Sequence, residues 1–307
     1  MQATVYKSTG SWYFVKNEKG ESFNARLKGK FKIDNISSTN PIAVGDKVTI
    51  ENETDSESIV ITEIHKRNNY INRVSPHNKN QQHIVASNLD QSLLFATIKE
   101  PKTSLGFIDR FLITAEAYHV PAIIVFNKID LLKPKDEDYL NYVKNIYEKI
   151  GYKIVEISLE KRIGLEELTQ LLKDKTTLIT GHSGVGKSTF INYLFPEFKL
   201  KTQDVSNWSG KGMHTTTFAE MFDLSFGGKI IDTPGIRELG LVDIEKQELS
   251  QYFPEMRVLL NDCQFNNCMH INEPDCAIKN AVSSNSIHSD RYYSYLNILE
   301  SINPKSY

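Results

Sequence analysis

Much is scarce in this chain of 307 residues, and each scarcity excludes a class of protein. No apolar run approaches the roughly 18 residues that a membrane-spanning helix requires. The opening Met-Gln-Ala-Thr-Val-Tyr-Lys lacks the charged-then-apolar layout of a secretory signal, so a cytoplasmic protein without a membrane partner is expected. Surplus positive charge is missing too. The formal net charge is −2, which gives no bulk electrostatic argument for nucleic acid. Only three cysteines are present, and a reducing compartment disfavours disulfides between them. All three fall within fourteen residues, which points to a metal instead. There is no internal repeat and no low-complexity tract. The 40% hydrophobic and 24% charged residues describe an ordinary globular protein long enough for two or three cores.

Three regions follow one another. Residues 1–66 hold β-branched or aromatic runs at Val5-Tyr6, Trp12–Val15, Ser22–Ala25, Phe31–Ile33, Lys47–Ile50 and Ile59–Ile64, separated by turn signals. So many short strands predict an all-β barrel of the OB type. Within residues 1–35 the charges sum to +4, a basic surface that suits RNA and a solvated face equally well. Residues 67–88 are polar and aperiodic, and are expected to be a linker. From 89 to 242 strands alternate with helices: strands over 92–97, 122–126, 153–157, 177–180 and 229–231, helices over 108–119, 136–150, 165–172 and 187–194. That alternation predicts an α/β domain with a mostly parallel sheet and ligands at the strands' carboxyl ends. Residues 243–307 lose the alternation and form a third, smaller domain around the cysteines, with a helical tail over 286–302.

Two strings in the middle region carry chemistry, and they stand in reverse of the usual order. Gly181-His182-Ser183-Gly184-Val185-Gly186-Lys187-Ser188, followed by Thr189, fits a phosphate-binding loop between a strand and a helix. Successive backbone N–H groups of such a loop point at phosphate oxygens, with Lys187 on the β- and γ-phosphates and Ser188 on Mg²⁺. Asn127-Lys128-Ile129-Asp130 looks like the guanine-reading element of GTPases, yet it lies 54 residues ahead of the loop. Such an order is that of a circularly permuted GTPase. A carboxylate at Asp130 accepts from both guanine N1–H and the exocyclic amine, which adenine cannot match, and Lys128 packs beneath the base. Ser158, with Leu159 after it, fits the element whose backbone closes over guanine O6.

Further on, Asp232-Thr-Pro-Gly235 ends an apolar strand 45 residues after Lys187. Asp232 is placed to hold a Mg²⁺-bound water and Gly235 to approach the γ-phosphate. Between them, Gly210-Lys-Gly-Met-His214-Thr215-Thr216-Thr217 suits a switch. Thr216 is the favoured Mg²⁺ ligand, with Thr215 and Thr217 as alternatives. Ile236 stands where Ras-type GTPases place a water-orienting Gln, so His214 is the candidate catalytic residue, with a partner-supplied group as the rival. Cys263, Cys268, His270 and Cys276 make the Cys₃His set of one closed, structural Zn²⁺ site.

These residues together resemble the ribosome small-subunit-dependent GTPase A family, also called RsgA or YjeQ, over nearly the whole chain. That family has an OB-fold, a permuted GTPase and a Cys-x4-Cys-x-His-x5-Cys zinc domain in this order. The strings Phe253-Pro-Glu-Met256 and Arg291-Tyr-Tyr-Ser-Tyr295 add to the likeness. The resemblance implies GTP and Mg²⁺ as ligands, GDP as product, and docking on the 30S ribosomal subunit late in its assembly. It further implies hydrolysis stimulated by that subunit, contact of the outer domains with 16S rRNA, and His214 as the catalytic histidine. Ser158-Leu159, in place of the usual Ser-Ala, departs from it. A monomer is expected. The other reading is an RNA-binding assembly scaffold in which turnover matters little. Chain connectivity also predicts a wiring, with the Asp232–Gly235 switch tethered to the zinc domain and the guanine side to the barrel.

Overall fold

The structure, a computed structural model, describes residues 1–28, 41–53, 58–74, 82–196, 219–233 and 244–302. Five strands open the chain: β1 (Gln2–Ser8), β2 (Tyr13–Asn17), β3 (Ser22–Leu27), β4 (Lys47–Asn52) and β5 (Ile59–Ile64). They close on themselves through the pairings β1–β2, β2–β3, β3–β5, β5–β4 and β4–β1, with β3 and β5 parallel and the rest antiparallel. This is the expected OB-like barrel. Its interior is filled by alternate residues such as Val5, Tyr13, Val15, Ala25, Val48, Ile50 and Ile61. The expected strand at Phe31–Ile33 lies outside the described residues.

The segment expected as a linker is not featureless. It contributes a two-stranded antiparallel sheet, β6 (Tyr70–Val74) with β7 (Gln82–Ser87). Ile71, Val85 and Ala86 are buried in the core of the next domain, which so polar a stretch does not advertise. A buried polar knot ties this hairpin to the barrel. The Asp46 carboxylate accepts from Arg67 Nε and Nη2, each at 2.6 Å, and from the Ser87 hydroxyl at 2.6 Å.

The α/β domain follows as β8 (Gln91–Ala96), α1 (Leu105–Ala117), β9 (Ala122–Phe126), α2 (Pro134–Ile150), β10 (Lys153–Glu156), α3 (Leu165–Leu172), β11 (Thr176–Thr180), α4 (Lys187–Leu194), β12 (Glu220–Asp223) and β13 (Lys229–Asp232). Its strand order is β10-β9-β8-β11-β13-β12, parallel except for β12. The period of two along each strand feeds two cores. Leu94, Ala96, Ile124, Phe126, Leu178 and Ile231 face α1 and α2. Leu93, Phe95, Ile123, Val125, Ile179 and Ile230 face α3 and α4. The short strand β12 is not evident in the sequence.

The C-terminal part holds α5 (Pro254–Arg257), α6 (Ala277–Ser283) and α7 (Ser289–Ser301). Arg291 of α7, 1% exposed, fastens it to the α/β domain. Its guanidinium donates to Asp109 of α1 at 2.5 Å and to both oxygens of Glu255 at 2.6 and 3.2 Å, and lies 4.6 Å from the Phe253 ring centre. Tyr147 of α2 donates to the same Asp109 carboxylate at 2.7 Å. Losing one partner of such a buried cluster costs about 3–5 kcal/mol, because an unpaired charge stays behind.

Packing therefore crosses connectivity. The C-terminal module, although it follows the Asp232 strand in sequence, rests on α1 and α2, the helices after β8 and β9. The barrel, although it leads toward β9 in sequence, pairs its β1 with β12 beside the Asp232 strand. The expected wiring is corrected here. An exposed strand edge must be covered, and β1 covers the edge that β12 presents.

Candidate functional site

Asn127, Asp130, Ser158, the phosphate loop and Asp232 all stand at carboxyl ends of the parallel strands or in the loops that leave them. β11 is central, so the loop after it lies between the ends of β8 and β13. Asn127 joins three of the strings. Its amide nitrogen donates to the Val185 carbonyl at 2.8 Å, and its amide oxygen accepts from the Leu159 N–H at 3.3 Å. The approach is so close that a Cβ on Gly186 would meet Asn127 Nδ2 at 2.2 Å. Gly186 also has φ +105°, which side-chain-bearing residues rarely adopt. Glycine is required there twice over.

Asp130 is held by a contact that the sequence did not suggest. The Ser158 hydroxyl donates to Asp130 Oδ1 at 2.5 Å and accepts from the Lys161 N–H at 3.0 Å. Ser158 is fully buried. Its role in this structure is thus a side-chain one, aiming the carboxylate, besides the backbone role read from its position. Ile129 opens a single helical turn that presents Asp130, and Leu159 covers Gly186. Lys128 stands in the left-handed region, φ +66°, and its ammonium donates to the Glu100 carbonyl at 2.5 Å.

The loop after β8 is the other part that sequence reasoning missed. Thr103 is buried; its hydroxyl accepts from the Thr97 N–H at 3.0 Å and pairs with His182 Nε2 at 2.7 Å. Phe107 meets the His182 ring edge-on at 5.4 Å. Pro101 lies 3.3 Å from where a Cβ on Gly184 would be. Nothing in Lys99-Glu-Pro-Lys-Thr-Ser104 marks it as a brace, since these contacts are specified only by the fold.

Lys187, at the first turn of α4, donates to the carbonyls of Gly181 and, at 2.8 Å, His182. Burial lowers its proton affinity, against the pull of Asp232. Ser188 is half-buried beside it, while Ser183, Gly184 and Thr189 face solvent. Burial pushes the Asp232 carboxyl up to about 6 although the Lys187 ammonium draws it down. A buried carboxylate, a hydroxyl and a lysine at a ring of backbone N–H groups suit a hard divalent cation with phosphate oxygens. His214, Thr215, Thr216, Thr217, Gly235 and Ile236 lie outside the described residues.

In the C-terminal part Cys263, Cys268, His270 and Cys276 bring their ligand atoms within 4.8 Å of one another. His270 turns Nδ1 toward the sulfurs, 3.3 Å from Cys276 Sγ. Burial, with the Cys276 thiol alongside, pushes the Cys268 thiol up to about 12, opposed by a hydrogen bond from the His270 backbone. Three thiols and an imidazole packed this closely fit a tetrahedral dication, whose charge would let the sulfurs ionise. The shell around them is built for it. Tyr292 and Tyr295 donate to the His270 and Met269 carbonyls at 2.6 and 2.9 Å, and Glu273 caps the N–H groups of Met269, Ile271 and Asn272.

The chain is similar to known proteins over nearly its whole length. Residues 64–242 match the sequence profile of the RsgA GTPase family, and residues 2–60 that of the RsgA N-terminal domain. A small ribosomal subunit biogenesis GTPase RsgA of Flavobacterium johnsoniae is 52% identical over 98% of this chain and 93% of its own length. Its namesake in Flavobacterium psychrophilum is 51% identical with the same coverage. Among solved structures, YjeQ from Thermotoga maritima superposes with a TM-score of 0.78 at 32% identity, covering 97% of both chains. YloQ, described as a circularly permuted GTPase, gives 0.76 at 29% identity over 99% of this chain and 96% of its own.

Asp232 makes a pH-dependent prediction. Its folded-state carboxyl is raised above the unfolded value, so its own contribution to stability is fully present below about pH 4 and is lost as pH rises through about 6. In nucleotide-free protein, Asp232→Asn should recover that loss at about pH 7.5, on the order of 1–3 kcal/mol, and change little at about pH 4. Chemical denaturation at the two pH values checks it, and equal midpoints at the higher pH would count against the burial assigned to this carboxylate.

Proposed function

The chain belongs to the RsgA GTPase family, and we propose that it hydrolyses GTP to GDP and phosphate on the 30S ribosomal subunit, late in the maturation of that particle. It is a small ribosomal subunit biogenesis GTPase, like its relatives. The observation that carries the proposal is the convergence of Asn127, Asp130, Ser158 and the Gly181–Ser188 loop on one row of strand ends.

Asp130, aimed by the Ser158 hydroxyl, accepts the two guanine donors. A base lacking them leaves the carboxylate unpaired, a mismatch worth on the order of 10⁴-fold in specificity. Lys187 exchanges the Gly181 and His182 carbonyls for β- and γ-phosphate oxygens, and the loop N–H groups take the remainder. Ser188 and Thr216 would hold Mg²⁺, with Asp232 on a water bound to it, and the ion when bound neutralises phosphate charge. Gly235 then meets the γ-phosphate, and His214 orients the attacking water in the place where Ile236 offers no polar group.

The domains divide the work as barrel (1–66), connecting hairpin segment (67–88), permuted GTPase (89–242) and zinc module (243–307). Barrel and zinc module contact 16S rRNA, and the working form is a cytoplasmic monomer. Among the described residues no helix is long and apolar enough to cross a membrane. Cys263, Cys268, His270 and Cys276 hold one structural Zn²⁺.

Hydrolysis by purified protein with and without mature 30S subunits tests the enzyme reading against the scaffold reading. A many-fold rise is expected, and no rise leaves the scaffold. His214→Ala should cost about 10²-fold or more of the stimulated kcat, whereas an unchanged kcat removes His214 from catalysis. Metal analysis should find close to one zinc per chain, and a content near zero would refute the site.

A further inference from the structure

The sheet edge beside the Asp232 strand continues into the barrel through β12 and β1. Asp232, Glu220 and Lys7 stand side by side on three neighbouring strands. The register opposes Asp232 to Glu220 across β13 and β12, and Glu220 to Lys7 across β12 and β1. Residues directly opposed on antiparallel strands project to the same face. Lys7 Nζ lies 2.9 Å from Glu220 Oε2, both side chains about three-quarters shielded from solvent.

The opposite face of β12 is gripped as well. The Tyr6 hydroxyl donates to Asp223 Oδ1 at 2.5 Å and Lys16 Nζ to Asp223 Oδ2 at 2.6 Å, with Lys16 4.6 Å above the Tyr6 ring. Burial opposes ionisation of Asp223, yet these two donors hold its carboxyl below the usual range. A strand of four residues with a single register pair to β1 is thus fixed by side chains from two barrel strands, on both of its faces. The chemistry beyond it is anionic. Asp232 stands at this end of the sheet, where the proposed function puts the nucleotide phosphates, so an unneutralised Glu220 would add repulsion there.

We propose that Lys7 and Glu220 are positioning residues of the phosphate side of the nucleotide site, the barrel supplying through Lys7 the charge that keeps Glu220 from repelling the triphosphate. This rests on the reading of Asp232 as a phosphate-side carboxylate. A partner that moves the barrel would therefore act on the γ-phosphate end and leave the guanine end alone.

Affinities for GDP and for a non-hydrolysable GTP analogue, both with Mg²⁺, test this in the full chain. Lys7→Gln leaves Glu220 bare. It should weaken the analogue relative to GDP by about three- to tenfold at low salt, with the effect fading at about 0.5 M salt. Lys7→Arg should retain the wild-type ratio. Lys7→Gln/Glu220→Gln, which removes both charges, should restore the ratio to within about twofold. A purely structural role predicts the opposite, a double variant at least as impaired as the single and equal losses for both nucleotides. Either that pattern or an unchanged ratio in folded Lys7→Gln overturns the proposal. Failure of Asp232→Asn to alter the Mg²⁺-dependent preference would instead overturn the phosphate-side reading, whatever Lys7 does.

Discussion

Strand order in the parallel sheet is the constraint on which the rest depends. With β11 between β8 and β13, the Gly181–Ser188 loop is central, the Asp232 strand is its neighbour on one side, and β9, which leads into Asn127–Asp130, lies two places away on the other. Backbone hydrogen bonding between parallel strands fixes these spacings, so the three motifs meet wherever the chain happens to begin. The contact of Asn127 with the Val185 carbonyl and the glycine-only approach at Gly186 follow from that meeting. Reversal of the motif order in sequence costs the site nothing. It changes only which strand edge and which helix faces are left for other domains.

Those leftover surfaces set the architecture. β12 is an edge, and the barrel covers it; α1 and α2 present a face, and the C-terminal module covers that through Arg291. The barrel thus reaches the β12 edge while staying tied to the hairpin that follows it, and the C-terminal module rests on helices remote in sequence from its own start. The Asp232 side of the sheet adjoins the barrel, and α1 and α2 adjoin the C-terminal module. A nucleotide-dependent change needs to alter the relation of these contacts by only a few kcal/mol to shift the balance between two states.

Much of this was legible in the sequence, for identifiable reasons. Alternating apolar runs placed β9, α3 and α4 to the residue, because buried parallel strands and amphipathic helices carry strong periodicities. The cysteine cluster was legible because ligand spacing is a local property. What sequence left hidden was non-local. The 67–88 segment looked like a linker because its few apolar residues, such as Ile71 and Val85, are buried by a distant core. The Ser158–Asp130 bond, the Thr103–His182 brace and the Lys7–Glu220 pair join residues 28, 79 and 213 positions apart, with no pattern to connect them in advance. The strand β12 is too short, at four residues, to show a period.

We propose that the nucleotide, read at this row of strand ends, decides how firmly the outer modules hold the ribosomal particle. Equilibrium binding of the protein to 30S subunits, compared between GDP and a non-hydrolysable GTP analogue, tests it most directly. The account predicts clearly tighter binding with the analogue; equal affinity in the two nucleotide states would contradict it.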